Sequence, residues 1–198
     1  GLAYQRRQVP LVEATLANLH RYSPPAFATF REVIRLAGLK PREWGGYDDY
    51  SHADLPGSLW ASAVPHPLEL GDHFVHELQH NRLQMIEERG PFFEGRSGEE
   101  PRCYSPWRDE LRGLYGIFHG VFVWLGVHRY WRGAFERRDA DRIGEPERAY
   151  VVDRLLRIPT QLDLALAVLD RFARVTPLGR ALLDQYHRDV ATLHAERH

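Results

Sequence analysis

The sequence predicts a mainly helical α+β domain, and three observations carry that expectation. Apolar residues recur at helical spacing over most of the chain, one short segment suits a strand, and prolines and glycines fall between these runs. With 198 residues and 43% hydrophobic content, the chain is long enough to bury a proper core. A single domain over 1–198 is expected, its core at 57–135 and a helical C-terminal part at 146–198.

Residues 9–21 place Leu11, Val12, Leu16 and Leu19 as a helix would. Residues 24–38 read as a second helix, opened by Pro24-Pro25 and closed by Gly38. Residues 40–57, rich in Pro, Gly, Asp and Tyr, read as loop. Residues 58–64 suit a short edge strand or one strand of a small sheet, ended by Pro65 and Pro67. A helix then runs from about Leu68 to Glu88, stopped by Gly90-Pro91. Residues 91–107 read as loop, and a long helix is expected over 108–135. Pro146 opens another helix, and Pro159 and Pro177 divide the rest into two more.

Charge is balanced, with 26 Lys+Arg against 27 Asp+Glu, so nothing predicts a nucleic-acid partner. No stretch has the apolar length of a membrane span, and no signal peptide is visible. Cys103 is the only cysteine, which excludes an intrachain disulfide and fits a reducing, cytoplasmic setting. Lys40 is the only lysine. Cationic sites will therefore be forked guanidiniums, suited to carboxylates.

The most informative stretch is His76-Glu77-Leu78-Gln79-His80, an H-E-x-x-H pattern inside the expected helix 68–88. Imidazoles four residues apart share a helix face and can reach one metal ion, with Glu77 on an adjoining face. This is the signature of zinc peptidases, in which the Glu is the general base, and it points to a zincin- or gluzincin-like helical metal site. Those enzymes often take a third ligand from a later Glu. Here the downstream helix offers Glu110 near its start and no other acid until Glu136. His119 sits instead at its apolar centre, so a set of His76, His80 and His119 fits better, with Zn(II) or Fe(II) both suited. Gly116 and Gly120 would let that helix approach the metal helix closely. His73 reads as a surface or supporting residue. Asp72 and Asn81 read by default as solvated, with a hydrogen bond to a ligand imidazole as the alternative.

Val75-His76-Glu77-x-x-His80, then Tyr104-Ser105-Pro106-Trp107-Arg108, then Phe118-His119-Gly120-Val121-Phe122 together resemble the HExxH-type peptide-modification proteins. These occur in bacterial clusters that make ribosomally synthesised, post-translationally modified peptides. The resemblance covers about residues 57–135, and its specificity lies in the combination. It implies iron(II)- and 2-oxoglutarate-dependent hydroxylation at the β-carbon of a side chain in a precursor peptide, with O2 as co-substrate. It also implies His76, His80 and His119 as iron ligands on a metallopeptidase-like scaffold.

That chemistry needs a cation for the far carboxylate of 2-oxoglutarate, ideally a bidentate Arg. Arg112, seven residues before His119, and Arg108, eleven before, fall on its face if helix 108–135 is continuous. Arg108 is slightly preferred, with Ser105, Tyr104 and Tyr115 as hydrogen-bonding groups. Trp107 reads first as core. A substrate strand could add to the edge formed by Leu59, Ala61 and Ala63, although a plain sheet strand is an equal reading. Glu77 is the catalytic candidate, its role open between orienting a bound group and general base. The rival readings are a zinc metallopeptidase using Glu77 and an inert binding protein with structural histidines.

Overall fold

A computed structural model describes residues 2–41, 49–52, 54–95, 101–108, 110–137 and 145–196. Within them, the chain order is α1 (Leu2–Tyr22), α2 (Pro24–Val33), β1 (Leu36–Lys40), β2 (Ser58–Ser62) and α3 (Pro67–Glu87). It continues with β3 (Arg102–Ser105), β4 (Glu110–Gly113), α4 (Leu114–Glu136), α5 (Glu145–Phe172) and α6 (Pro177–Ala195). The fold is mainly helical, as the sequence predicts, and among the described residues it holds two small two-stranded sheets where one strand or small sheet was expected. No helix among the described residues is long and apolar enough to cross a membrane.

Helix α4 is the central element. It buries residues on most of its circumference, among them Leu114, Ile117, Phe118, Val121, Leu125, Val127, Tyr130 and Trp131. A helix apolar nearly all round belongs inside, and α1, α3, α5 and α6 all pack against it. Helix α3 starts cleanly because Pro67 stands at its first turn and the His66 ring accepts the Leu68 N–H.

Several element boundaries differ from the sequence expectation. Helix α2 stops at Val33 instead of 38, because residues 36–40 leave it to pair in parallel with β2. The Gln5 side-chain amide also accepts from Leu39 N–H at 3.3 Å and donates to Leu39 C=O at 2.7 Å. Residues 102–113, expected as loop and helix start, form an antiparallel β3–β4 pair, so α4 begins at Leu114. Helix α5 runs straight through Pro159. An interior proline is disfavoured by about 3 kcal/mol or more. The buried stripe of Ile158, Leu162, Ala165, Leu166 and Leu169 offsets this by holding both halves to the core.

The glycines act elsewhere than expected. A Cβ on Gly120 would lie 2.4 Å from the Trp107 ring, so this position makes room for Trp107 and not for α3. The close approach of α3 to α4 falls at Gly126, where a Cβ would lie 2.6 Å from the Gln79 side chain.

Buried Asn81 ties α3 to the sheet. Its Oδ1 accepts from Gly57 N–H at 2.8 Å, and its Nδ2 donates to Ser58 C=O and Glu77 C=O, both at 3.0 Å. Replacing Asn81 with Ala orphans a buried donor and acceptor. We expect a loss of about 3 kcal/mol of unfolding free energy, read as a lower urea midpoint with an unchanged denaturant slope.

Candidate metal centre

His76 and His80 sit one turn apart on α3, their ring centres 5.0 Å apart. One ligand atom each from His76, Glu77 and His80 lies within 4.8 Å of the others. His119, on the adjacent α4, brings its ring centre to 6.1 Å from that of His80. It stands outside the 4.8 Å group, and its Nε2 lies 3.9 Å from a Glu87 carboxylate oxygen. Glu87 also accepts the Tyr115 hydroxyl at 2.5 Å, and the Tyr115 ring packs 4.1 Å from His119.

The electrostatics hold all three imidazoles neutral. Burial lowers His76 well below the ordinary histidine value, and His80, His73, Arg108 and Arg154 add to that effect. Burial, then Arg108 and Arg112, take His80 down to about 4. Burial and then His80 take His119 down to about 3. Neutral imidazoles keep a lone pair for a metal. Burial pushes Glu77 up to about 7, against a hydrogen bond from Ser51 and the opposing influence of His73 and Lys40. Both His119 Nε2 and Glu77 Oε2 are buried without a hydrogen-bond partner. Orphaned polar atoms beside two neutral imidazoles are a donor set that fits a divalent cation such as Fe(II) or Zn(II).

The surroundings correct several sequence expectations. Arg108 lies in the turn between β3 and β4, and Arg112 lies on β4, so neither shares a helix face with His119. Both guanidiniums nevertheless reach the site electrostatically. Arg112 is paired with Glu110 at 2.9 Å, whereas no carboxylate among the described residues pairs with exposed Arg108. Ser105 is buried at the end of β3, its carbonyl accepting Arg108 N–H at 3.3 Å to close that turn. Tyr104 is exposed.

Leu59 and Ala61 are fully buried in the core, so their side chains do not line a substrate cleft, whereas Ala63 is half-buried. Nor is β2 a free edge. One side pairs with β1, and on the other Tyr50 exchanges both backbone hydrogen bonds with Trp60 while Asp49 accepts Ser62 N–H at 2.6 Å. His73 pairs with that same Asp49, so it pins the 49–52 segment over the sheet. Asp72 and Asn81 are buried, not solvated, and neither holds an imidazole. Asp72 accepts the Trp131 indole N–H at 2.7 Å and lies 3.6 Å from Arg154.

Three residues near the histidines carried little or no sequence signal. Trp124 meets the His76 ring edge-on at 5.6 Å and stacks with Trp107 at 6.5 Å. Arg154, on α5, lies 5.2 Å over Trp124. Glu87 had a faint signal, being seven residues after His80 and so near its helix face.

No protein-family model matches this chain, and neither does any curated protein.

Two expectations follow from the burial of the histidines. His119→Ala should lower the iron or zinc bound per chain sharply by elemental analysis, and an unchanged stoichiometry would remove His119 from the ligand set. The metal-free protein should also lose stability on acidification. The folded-state values of about 4 for His80 and about 3 for His119 lie below the unfolded value near 6.5. The unfolded chain therefore binds more protons in between, so stability is complete above about pH 6.5 and drains as pH falls through that window. Urea midpoints across this range should show the slope, and His119→Gln should flatten it.

Proposed function

We propose that this chain is an iron(II)- and 2-oxoglutarate-dependent hydroxylase, built on a zincin-like scaffold, that acts on a side-chain β-carbon in a ribosomally made precursor peptide. The observation that supports it most is the meeting of three neutral imidazoles from α3 and α4 with the Arg108 guanidinium, with which no carboxylate among the described residues pairs. His76, His80 and His119 would hold the iron, which leaves coordination positions for a chelating 2-oxo acid and O2. When bound, the iron supplies oxidative chemistry in which one atom of O2 enters the substrate C–H bond and the other enters the succinate formed as 2-oxoglutarate loses CO2.

The chain's own residues do the rest. Arg108 takes the far carboxylate of 2-oxoglutarate, with Arg112 adding positive charge from β4. Tyr115 and Glu87 fix the His119 ring by contact and by their mutual hydrogen bond. The Trp107–Trp124 stack shields the His76 side from water. Glu77, with its proton held to about pH 7, orients a bound group or a substrate amide. The unpaired Cys103 fits a reducing cytoplasm.

One observation favours a second reading. A buried carboxyl poised at about 7 beside two metal-ligating histidines also suits the general base of a zinc metallopeptidase. Against it, Glu110 pairs with Arg112 and Glu136 pairs with Arg132, so neither serves as the later carboxylate ligand.

Loading the protein anaerobically with Fe(II) and adding 2-oxoglutarate separates the two. The oxygenase should develop a weak visible charge-transfer band, and Glu77→Ala should keep it. No band, with zinc retained and peptide cleavage abolished by Glu77→Ala, establishes the peptidase instead. Arg108→Ala should weaken 2-oxoglutarate binding about 10- to 100-fold, the worth of one charge-assisted hydrogen-bonded pair, with iron content unchanged.

A further inference from the structure

A cavity of about 560 Å³ opens beside α2 and between α3, α4 and α6, and none of the three histidines lines it. That volume lies within the range of small-ligand sites. Its wall carries Arg82, Arg129, Arg132 and Arg137 against the carboxylates of Glu136, Asp189 and Glu196, and these cations are unequally balanced. Arg129 pairs with Asp189 at 2.9 Å. Arg132 pairs with Glu136 at 2.5 Å and also with Glu196. Arg137 donates to the Arg21 backbone carbonyl.

Arg82 is different. It is half-buried, its Nη1 donates to Gln79 Oε1 at 2.8 Å, and its Cζ lies 5.5 Å over the Phe122 ring. Among the described residues no carboxylate pairs with Arg82 or with Arg137. Burial, and then Arg129 close by, lower the Arg82 pKa. Gln79 is fixed in place by the close approach at Gly126, so its amide oxygen holds the guanidinium towards the cavity. The first turn of α2 lines the same cavity. It has no acidic residue and no side-chain cap at Ser23; Pro24 and Pro25 carry no N–H, so this end contributes its dipole and not an array of hydrogen-bond donors. A cation withdrawn from water and lacking a counter-charge calls for an anion.

We propose that this cavity is a second ligand site, which binds an oxyanion between Arg82, Arg137 and the N-terminal end of α2. The ligand chemistry is a carboxylate or phosphate, since a planar guanidinium fork matches both. It comes either from a free small anion or from an acidic side chain of a peptide. The site stands independently of the reaction performed at the histidines.

Calorimetric titration of the full, metal-loaded chain with inorganic phosphate, and separately with a short poly-glutamate peptide, tests this. Saturable one-to-one binding of either is expected, and it should persist in the metal-free protein. Phosphate binding alone identifies a free-anion site, and tighter binding of the peptide identifies an acidic segment. Arg82→Gln should weaken the interaction about tenfold or more, as loss of a charge-assisted pair does. Arg137→Gln, at an exposed position, should weaken it as well and supplies the test if the Arg82 variant fails to fold. Arg157→Gln, on α5 and outside the cavity wall, should leave it unchanged. No binding at millimolar ligand, binding that requires the metal, or an affinity unmoved by both Arg82→Gln and Arg137→Gln overturns the proposal.

Discussion

The structure depends on one constraint: three imidazoles are largely withdrawn from water where α3 meets α4, and that desolvation disfavours their charged form. A protonated histidine there would be an uncompensated cation in a poorly solvated place, with Arg108, Arg112 and Arg154 adding repulsion. The helix pair therefore presents nitrogen lone pairs at neutral pH without needing any base to free them. Rigidity comes from the same source. Gly126 allows α3 and α4 to approach closely, and Asn81 fastens α3 to β2. His76 and His80 are thus held by a helix that is itself held at both sides, which is how a metal site gains precise geometry.

Helix α3 is unusual in burying many polar residues, and each has a different partner. Asp72 holds Trp131 on α4, Gln79 holds Arg82, and Asn81 holds the start of β2. The Asp72 and Asn81 bonds reach other elements and so fix the helix in rotation as well as in position, whereas the Gln79–Arg82 bond lies within α3. A one-residue slip of α3 would break the Asp72 and Asn81 bonds together. Glu77 is the exception, because one of its carboxylate oxygens has no hydrogen-bond partner. A buried acid left incompletely satisfied among satisfied neighbours is where function is expected to reside.

The sequence revealed α3, α4 and the histidine pair because these are local patterns. Four-residue spacing and an apolar run need no knowledge of the rest of the chain. It concealed what depends on distant partners. Residues 36–40 read as the end of a helix, and only pairing with Ser58–Ser62 draws them into β1. The β3–β4 pair likewise displaced the expected helix start and moved Arg108 and Arg112 off it. Proximity of those arginines to the histidines survived although the helical reasoning for it did not, because the sheet lies directly before α4 in the chain. Arg154 and Trp124 had no local signature at all. An arginine on an amphipathic helix normally faces water, and only the packing of α5 on α4 turns this one inward.

For the proposed dicarboxylate co-substrate, an arginine-rich chain would pose a particular difficulty, since many guanidiniums compete for it. The structure answers by pairing. Arg112 is held by Glu110, Arg129 by Asp189, Arg132 by Glu136 and Glu196, and Arg154 by Asp72 and Tyr150. Ion pairs of this kind on a surface add little to stability, about 0–1 kcal/mol each. Their effect on recognition is larger, because a guanidinium already engaged offers fewer donors to a passing carboxylate. What remains without a carboxylate among the described residues includes Arg108 beside the histidines and Arg82 in the separate cavity. Those two positions differ in the way that matters for selectivity. Arg108 is exposed, and on the proposed reading it would capture a flexible acid whose other end reaches the histidines, whereas Arg82 is half-buried and backed by an aromatic ring. Anions would therefore sort by shape and by a second point of attachment, not by charge alone.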